Sequence, residues 1–337
     1  MPAMPLSAPS SLQLITPGTG GVFDYAAKLA GGLQAPLTEF AETTDVSGWS
    51  GDMLLLHYSN YGYQKRGVPT WVPERIRTLR EQFKVVGVVF HELYAFGPPW
   101  RSAFWLSLMQ QRIARDMLHE ADFWHTNREA AAQWLRKSSR AAVAPHRVLP
   151  VFSNIGEPPP AEGEREPSLV VFGAASSRAR TYAWKDGEIH RFARRHGLRI
   201  QDIGRPLPDG PMAQRLAEEG VVVRGMLSEA EVSQAMLTAR FGVVEYPPVD
   251  TCKSGIFAAY AAHGLCPILL WRDYTSHDGL EAGVNYAGGF DAFAKMGEGD
   301  LSAHAARIGR AARQWYEPHR VDAHVDALKK LHAEARP

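Results

Sequence analysis

The chain of 337 residues has only two cysteines, Cys252 and Cys266, and a net charge of +1. Two cysteines cannot build a disulfide framework, and their separation fits no zinc motif. Both points suggest a reducing, cytoplasmic setting and no bound metal. A near-zero net charge gives no general attraction to nucleic acid, although it can hide a local basic pocket. No run approaches the ~20 apolar residues that a membrane span needs. Peripheral contact with a membrane through a few surface side chains stays open. The N-terminal MPAMPLSAPSS lacks a basic stretch followed by an apolar core, so it reads as a flexible leader and not as a signal peptide. The G-x-G-x-x-G spacing of dinucleotide-binding turns is also missing.

What is present is an ordinary globular composition, 45% hydrophobic and 22% charged, in a chain of two-domain length. Continuous apolar runs alternate with amphipathic stretches. Leu12 to Thr16 reads as a strand, followed by the turn Pro17-Gly18-Thr19-Gly20-Gly21 and a helix from Val22 to Leu33. Met53 to Tyr58 and Val85 to Phe90 read as buried strands. Helices are expected over Pro73 to Gln82, Ser102 to Ala121 and Glu129 to Ser138, with strands at Phe123 to Thr126 and Val148 to Phe152. The stretch GEPPPAEGEREP, Gly156 to Pro167, is rich in proline and charge and reads as a linker.

A second series follows. Strands are expected at Leu169 to Phe172, Ile200 to Ile203, Val221 to Val223, Phe241 to Glu245 and Pro267 to Leu270. Helices are expected over Lys185 to His196, from Ser228 with a capping box to Glu231, and over Gly255 to Ala262. Two amphipathic helices, Leu301 to Trp315 and Val321 to Ala335, close the chain. The fold class is therefore α/β, with two Rossmann-like βα domains. The expected divisions are 1–155, a linker 156–167, a second domain 168–318, and a C-terminal helix in 319–337 that crosses back to the first domain.

In open α/β sheets ligands bind beyond the carboxyl ends of the strands, so the residues just after each strand are the candidates. In the first half these are the Gly20-Gly21 turn, His57, His91, Glu92, His125 and Asn127. Gly20 and Gly21 let a backbone approach a ligand and open a helix N-terminus. His91 can hydrogen-bond a sugar hydroxyl or a phosphate, or act as a base. In the second half, SSRARTYAWK places Arg178, Arg180 and Lys185 after a strand, where a diphosphate needs counter-charges. The segment DTCKSGIFAAYAAHG sets Lys253, Ser254 and Gly255 ahead of a helix, which combines an ammonium, a hydroxyl and free amides. Glu245 ends the preceding strand. Each candidate also has a plainer role: a tight turn, a strand-end histidine bonded to backbone, a helix cap, a solvated cation.

The pattern resembles the GT-B glycosyltransferases, and within them the retaining family four. The segments that carry the resemblance are GTGGVFDYAAKLAGGL, VVFHE, LVVFGAASSRARTYAWK, VVVRGMLSEAEVSQAMLTARFGVVEYPP and FAAYAAHGLCPIL, scattered over most of the chain. The resemblance implies two domains facing a cleft. It also implies transfer of a hexose from a nucleotide-sugar donor to a glycan or lipid-linked acceptor, with retention and no cofactor beyond the donor. It places Arg178 or Lys185 with Lys253, Ser254 and Gly255 on the donor diphosphate, and His91 with Gly20 and Gly21 on sugar or acceptor. Under a retaining mechanism His91 is a binding group and not a base. One departure stands out: the family's two glutamates, with seven residues between them, fall here on Thr251 and Ala259. Ribose recognition must then differ, with Glu245 or the Lys253-Ser254 pair as substitutes. The departure also leaves a second reading, a degenerate GT-B module that binds a sugar phosphate or a partner without turnover.

Overall fold

The computed structural model describes residues 11–95, 97–139, 142–161 and 163–335, so the leader expected at the N-terminus lies almost wholly outside the described residues. The chain divides into two compact units. The first comprises residues up to Pro150 together with those from Val321 onward, and the second runs from Val151 to Arg320. The first division lies ahead of the expected linker 156–167. That stretch is tied to the second unit instead: Arg313 donates to the Pro158 carbonyl at 2.9 Å, and Arg320 pairs with Glu157 at 3.4 Å.

In the first unit the elements are β1 (Leu12–Thr16), α1 (Gly21–Leu33), β2 (Leu37–Glu39), β3 (Gly51–Ser59), α2 (Asn60–Tyr63), α3 (Trp71–Arg80), β4 (Phe83–Glu92), α4 (Ser102–Glu120), β5 (Phe123–Thr126), α5 (Glu129–Ser138) and β6 (His146–Val148). The six strands form one sheet in the order β2-β1-β3-β4-β5-β6, with every described pairing parallel. Leu54, Leu56, Val86 and Val88 are fully buried, as expected for strands covered on both faces. Gly87 interrupts the apolar run of β4 because the Phe123 ring lies across it; a Cβ there would sit 2.2 Å from Phe123 Cζ. The expected strand Val148 to Phe152 is not formed; β6 lies ahead of it and shares only Val148, and β2 and the short α2 were not foreseen.

In the second unit the elements are β7 (Glu166–Phe172), α6 (Ala175–Ala183), α7 (Glu188–Arg195), β8 (Arg199–Ile203), α8 (Pro211–Glu218), β9 (Val222–Gly225), α9 (Glu229–Thr238), β10 (Ala239–Glu245), α10 (Gly255–His263), β11 (Cys266–Leu270), β12 (Ala287–Gly288) and α11 (Glu298–Tyr316). The sheet order is β12-β11-β10-β7-β8-β9, again parallel in every described pairing. Read from its other edge, this sheet reverses direction at β7 and β10, as doubly wound nucleotide-binding sheets do. Ser228 caps α9 in a capping box with Glu231, as the spacing predicts. α10 is buried along most of its length and ends at Gly264 in the left-handed region, φ 68°. Its alanines let it lie close to the sheet, where the Tyr260 ring covers Gly242; a Cβ on Gly242 would sit 2.5 Å from that ring.

The last helix, α12 (Val321–Ala335), groups with the first unit. Its stripe of Val325, Leu328 and Leu331 is buried. Val325 lies against Gly32 of α1, where a Cβ would come within 2.8 Å. A polar clamp accompanies the stripe. The Pro150 carbonyl can only accept, so His324 donates to it from Nε2 at 2.9 Å. Nδ1 is then the acceptor for the Tyr25 hydroxyl at 2.8 Å.

Candidate functional site

Parallel strands put all carboxyl ends on one edge of a sheet, and the crevice opens where the strand order reverses. In the first unit that reversal lies between β1 and β3. The Gly20-Gly21 turn follows β1, and His57, Ser59 and Asn60 close β3. Gly20 takes φ 138°, and a Cβ on either glycine would meet nothing within 4 Å, so the backbone faces open space. No side chain caps α1.

The sequence places His91 near this turn. The structure brings it to Tyr25, one turn into α1, with ring centroids 5.0 Å apart edge to face. His57 Nδ1 and His91 Nε2 are 3.1 Å apart, and one of the two carries the shared proton. Nδ1 of the partly exposed His91 has no partner among the described residues. His57 and His125 are buried. Burial, reinforced by His91 and His125, keeps the His57 pKa well below the usual imidazole range. Burial and the neighbouring His125 lower His91 to about 3. Burial lowers His125 to about 4, against a backbone contact from Arg147 that raises it.

Several polar atoms at this edge are buried and have no hydrogen-bond partner among the described residues: Thr16 Oγ1, His57 Nε2, Asn60 Nδ2, His125 Nδ1 and Asn127 Oδ1. Thr16, Asn60 and Asn127 close or follow β1, β3 and β5, so an array of unmade hydrogen bonds runs along the strand ends. Such groups are costly unless something meets them. Glu92 is exposed and accepts from Ser59 Oγ at 3.1 Å. Thr16 and Asn60 escaped the sequence reading, although the rule that picked His91 points to them equally.

In the second unit the reversal lies between β7, which Gly173 follows, and β10, which ends at Glu245. Gly173, with φ 124°, touches the first turn of α10: a Cβ there would lie 2.5 Å from Ile256 Cδ1. α10 begins at Ser254, whose Oγ accepts from the Phe257 amide at 3.2 Å. The Gly255 and Ile256 amides, nearer the end of the helix, have no acceptor among the described residues, as the first turn of a helix requires. Lys253 sits beside them, 3.3 Å from Asp250. Asn154, unforeseen from sequence, lies 3.6 Å from the Cβ position of Gly255, and its Oδ1 is buried without a partner. Turning its amide over presents the NH2 group instead.

Arg178 requires a correction. It was expected on a donor phosphate, but it is 0% exposed and belongs to the interior of α6. Nε donates to the Gly173 carbonyl at 3.0 Å, Nη1 to Asp202 and Nη2 to the Arg205 carbonyl. Tyr182 donates to the other Asp202 oxygen at 3.0 Å. Because α6 starts directly after β7, its first turn points Arg178 back over the strand ends. There the guanidinium joins the Gly173 and Arg205 carbonyls, and a Cβ on Gly204 would lie 2.4 Å from the Gly173 carbonyl oxygen.

The other expected cations are nearer solvent. Arg180 pairs with Glu245 at 2.7 Å, and Lys185, at φ 40°, has Glu188 and Asp291 as partners, both at 3.6 Å. Thr251 and Ala259, the positions of the family's glutamates, are buried, and Thr251 Oγ1 donates to the Pro247 carbonyl at 3.2 Å. Among the described residues no group of histidine, cysteine and carboxylate side chains could hold a metal ion, and no helix is long and apolar enough to cross a membrane.

No family model matches the chain, and no curated protein matches it by sequence. Solved structures do match. The pneumococcal O-GlcNAc transferase GtfA, in complex with UDP and GlcNAc, superposes with a TM-score of 0.52 at 13% identity, over 84% of this chain and 57% of its own. An alpha-glucosyltransferase, AGT, in complex with UDP gives 0.52 at 11% identity over 92% of this chain and 96% of its own. A mutant of S. aureus TarM, in complex with fondaparinux, alpha-GlcNAc-glycerol and UDP, gives 0.56 at 9% identity over 83% of this chain and 55% of its own. The chain thus spans little more than half of GtfA and TarM and nearly all of AGT. At these identities the likeness concerns the fold: two parallel six-stranded α/β units, the architecture of the GT-B glycosyltransferases.

Two outcomes follow. Buried neutral histidines have folded pKa values below the ~6.5 of the unfolded chain, so the unfolded state binds more protons in acid. Stability therefore falls as pH drops from about 6.5 towards the values near 4 and 3 of His125 and His91. The slope is up to about 1.4 kcal/mol per histidine per pH unit. His91→Gln should flatten this fall in melting temperature; an unchanged pH profile would contradict the burial assignment. Arg178→Met leaves Asp202 buried without its cation and should cost about 3–5 kcal/mol in urea unfolding. An unchanged midpoint would return Arg178 to the solvent-facing set.

Proposed function

We propose that the protein is a glycosyltransferase that takes a sugar from a nucleotide-sugar donor bound to the second unit. The observation that carries this reading is the first turn of α10. Two unpaired amides and the Gly173 turn meet at the switch point of a doubly wound sheet, with Lys253 next in the chain and paired with Asp250, a setting suited to a diphosphate that takes over the lysine. The shared fold with transferases solved in complex with UDP supports the same reading. As the bond between the anomeric carbon and the phosphate oxygen breaks, negative charge grows on the leaving diphosphate. Amides and an ammonium fixed beforehand stabilise that charge without reorganising.

Lys185 and Arg180 add positive charge on the same unit. Glu245, held by Arg180, is the carboxylate available to a ribose hydroxyl, since Thr251 and Ala259 supply none. The first unit takes the acceptor, a glycan or a lipid-borne sugar. There the free ring edge of His91, the Gly20-Gly21 turn, Asn60 Nδ2 and Asn127 Oδ1 meet hydroxyl groups. Retention of configuration, drawn from the resemblance to family four, asks for no general base, so His91 binds and orients. The alternative to turnover, raised by the missing glutamate pair, is a degenerate module that binds a sugar phosphate or a partner, and the fold shared with UDP-bound transferases does not favour it.

Lys253→Ala should weaken UDP binding by about 1.5–3 kcal/mol, the range for hydrogen bonds to charged groups, in isothermal titration. Ser254→Ala should weaken it less, because the amides stay in place. Equal affinity in all three proteins would remove the diphosphate from α10. Release of nucleoside diphosphate from a panel of UDP-sugars separates transferase from binding module, and His91→Ala should lower that turnover.

A further inference from the structure

The sequence around α4 holds a feature that the proposed reaction does not use. Five large apolar side chains within ten residues face solvent: Trp100 at 83% exposure, Phe104 at 41%, Trp105 at 66%, Leu108 at 71% and Met109 at 50%. At 100° per residue, Phe104, Leu108, Trp105 and Met109 share an arc of roughly 140° on the helix. The opposite face carries Gln110, Ile113, Ala114 and Met117, which are buried. The buried face begins only at Gln110, so the first two turns of α4 present their apolar side chains outward. An exposed stripe of this kind is more than the scattered apolar residues of an ordinary surface.

The patch is held in shape. Trp105 Nε1 donates to the Pro99 carbonyl at 2.8 Å, and the Phe104 and Trp105 rings meet edge to face at 5.2 Å. Arg101, just before α4, and Arg112, within the arc one turn beyond Leu108, are both exposed and flank the stripe along the chain. Gln110 joins α4 to the segment after β3, donating to the Arg66 carbonyl and to the Tyr61 hydroxyl, both at 3.2 Å. That segment brings exposed Lys65 and Arg66. From residue 60 to 73 and from 93 to 115 the sequence contains no aspartate or glutamate. A chain whose net charge is only +1 therefore carries four exposed cations, Lys65, Arg66, Arg101 and Arg112, on α4 and the segments joined to it.

We propose that this face docks on an anionic phospholipid surface, with α4 lying in the interface plane. Tryptophan rings suit the headgroup level, the aliphatic side chains reach the acyl boundary, and the basic rim meets anionic headgroups. A second copy of the chain is the poorer occupant, because apposing two such faces would bring the cations of each against those of the other.

The test uses the full chain and flotation with phosphatidylglycerol–phosphatidylcholine vesicles, beside vesicles of phosphatidylcholine alone. The protein should float with the anionic vesicles at low salt, and raised salt or neutral lipid should weaken this about tenfold or more. Trp105→Ala with Leu108→Ala should weaken it about tenfold or more, since two exposed side chains lose their apolar burial. Arg101→Glu with Arg112→Glu should do so through charge, and both doubles should keep the wild-type melting temperature. Absence of flotation at low salt, or flotation untouched by either double variant, overturns the proposal. So does a dimer in sedimentation equilibrium that the apolar double variant abolishes, which would give the face to a second copy.

Discussion

Every described pairing between neighbouring strands in both sheets is parallel, and the chemistry of the protein depends on that constraint. A parallel strand can be followed by another only through a crossover, so each strand hands the chain to a loop or helix at the same edge. All ligand-facing backbone therefore gathers at the carboxyl ends, and the reversal of strand order fixes where the crevice opens. In the first unit it opens between the Gly20-Gly21 turn and the end of β3. In the second it opens between Gly173 and Glu245. The glycines at these places are geometric necessities. Gly173 touches Ile256 and Gly204 touches Gly173, so side chains would push the loops apart.

The two edges treat their polar groups differently. In the second unit the Arg178 guanidinium is spent internally on Asp202 and two carbonyls, which makes the β7 and β8 loops rigid. What remains at that edge is backbone amide, with Lys253 beside it in the chain and paired with Asp250. In the first unit, histidines and amides remain buried with hydrogen bonds unmade. Burial keeps His57, His91 and His125 neutral, so this edge offers uncharged donors and acceptors. That set suits sugar hydroxyls better than phosphate. The α12 helix completes this unit through His324, which closes a chain of aromatic and imidazole rings from His125 to Tyr25.

Much of this was legible in sequence because the apolar runs are long and sharply bounded. β1, β5, α5 and α12 fall where periodicity and turn residues put them, and Ser228 caps α9 as its spacing requires. The α6 helix was not legible. SSRARTY has no apolar stripe, and its helical form comes from Tyr182 and Thr181 packing under β10 and from the buried Arg178. With the helix unseen, Arg178 read as a loop cation, and only its partner Asp202, one position before the end of β8, could have warned otherwise. Likewise Asn154 stands in a segment that joins no sheet, so nothing in pattern tied it to Gly255. Position after a strand singled out His91 and Lys253 as candidates, but it could not say which strand-end side chains, Arg178 among them, would be turned inward.

The central claim is that the first turn of α10 receives a diphosphate, and amide hydrogen exchange reads that turn directly. Adding a nucleoside diphosphate should slow exchange at Gly255 and Ile256, the two amides without an acceptor, more than elsewhere in the second unit. Saturating nucleotide that leaves both amides exchanging at their free rate, while protecting another strand end, would contradict the account.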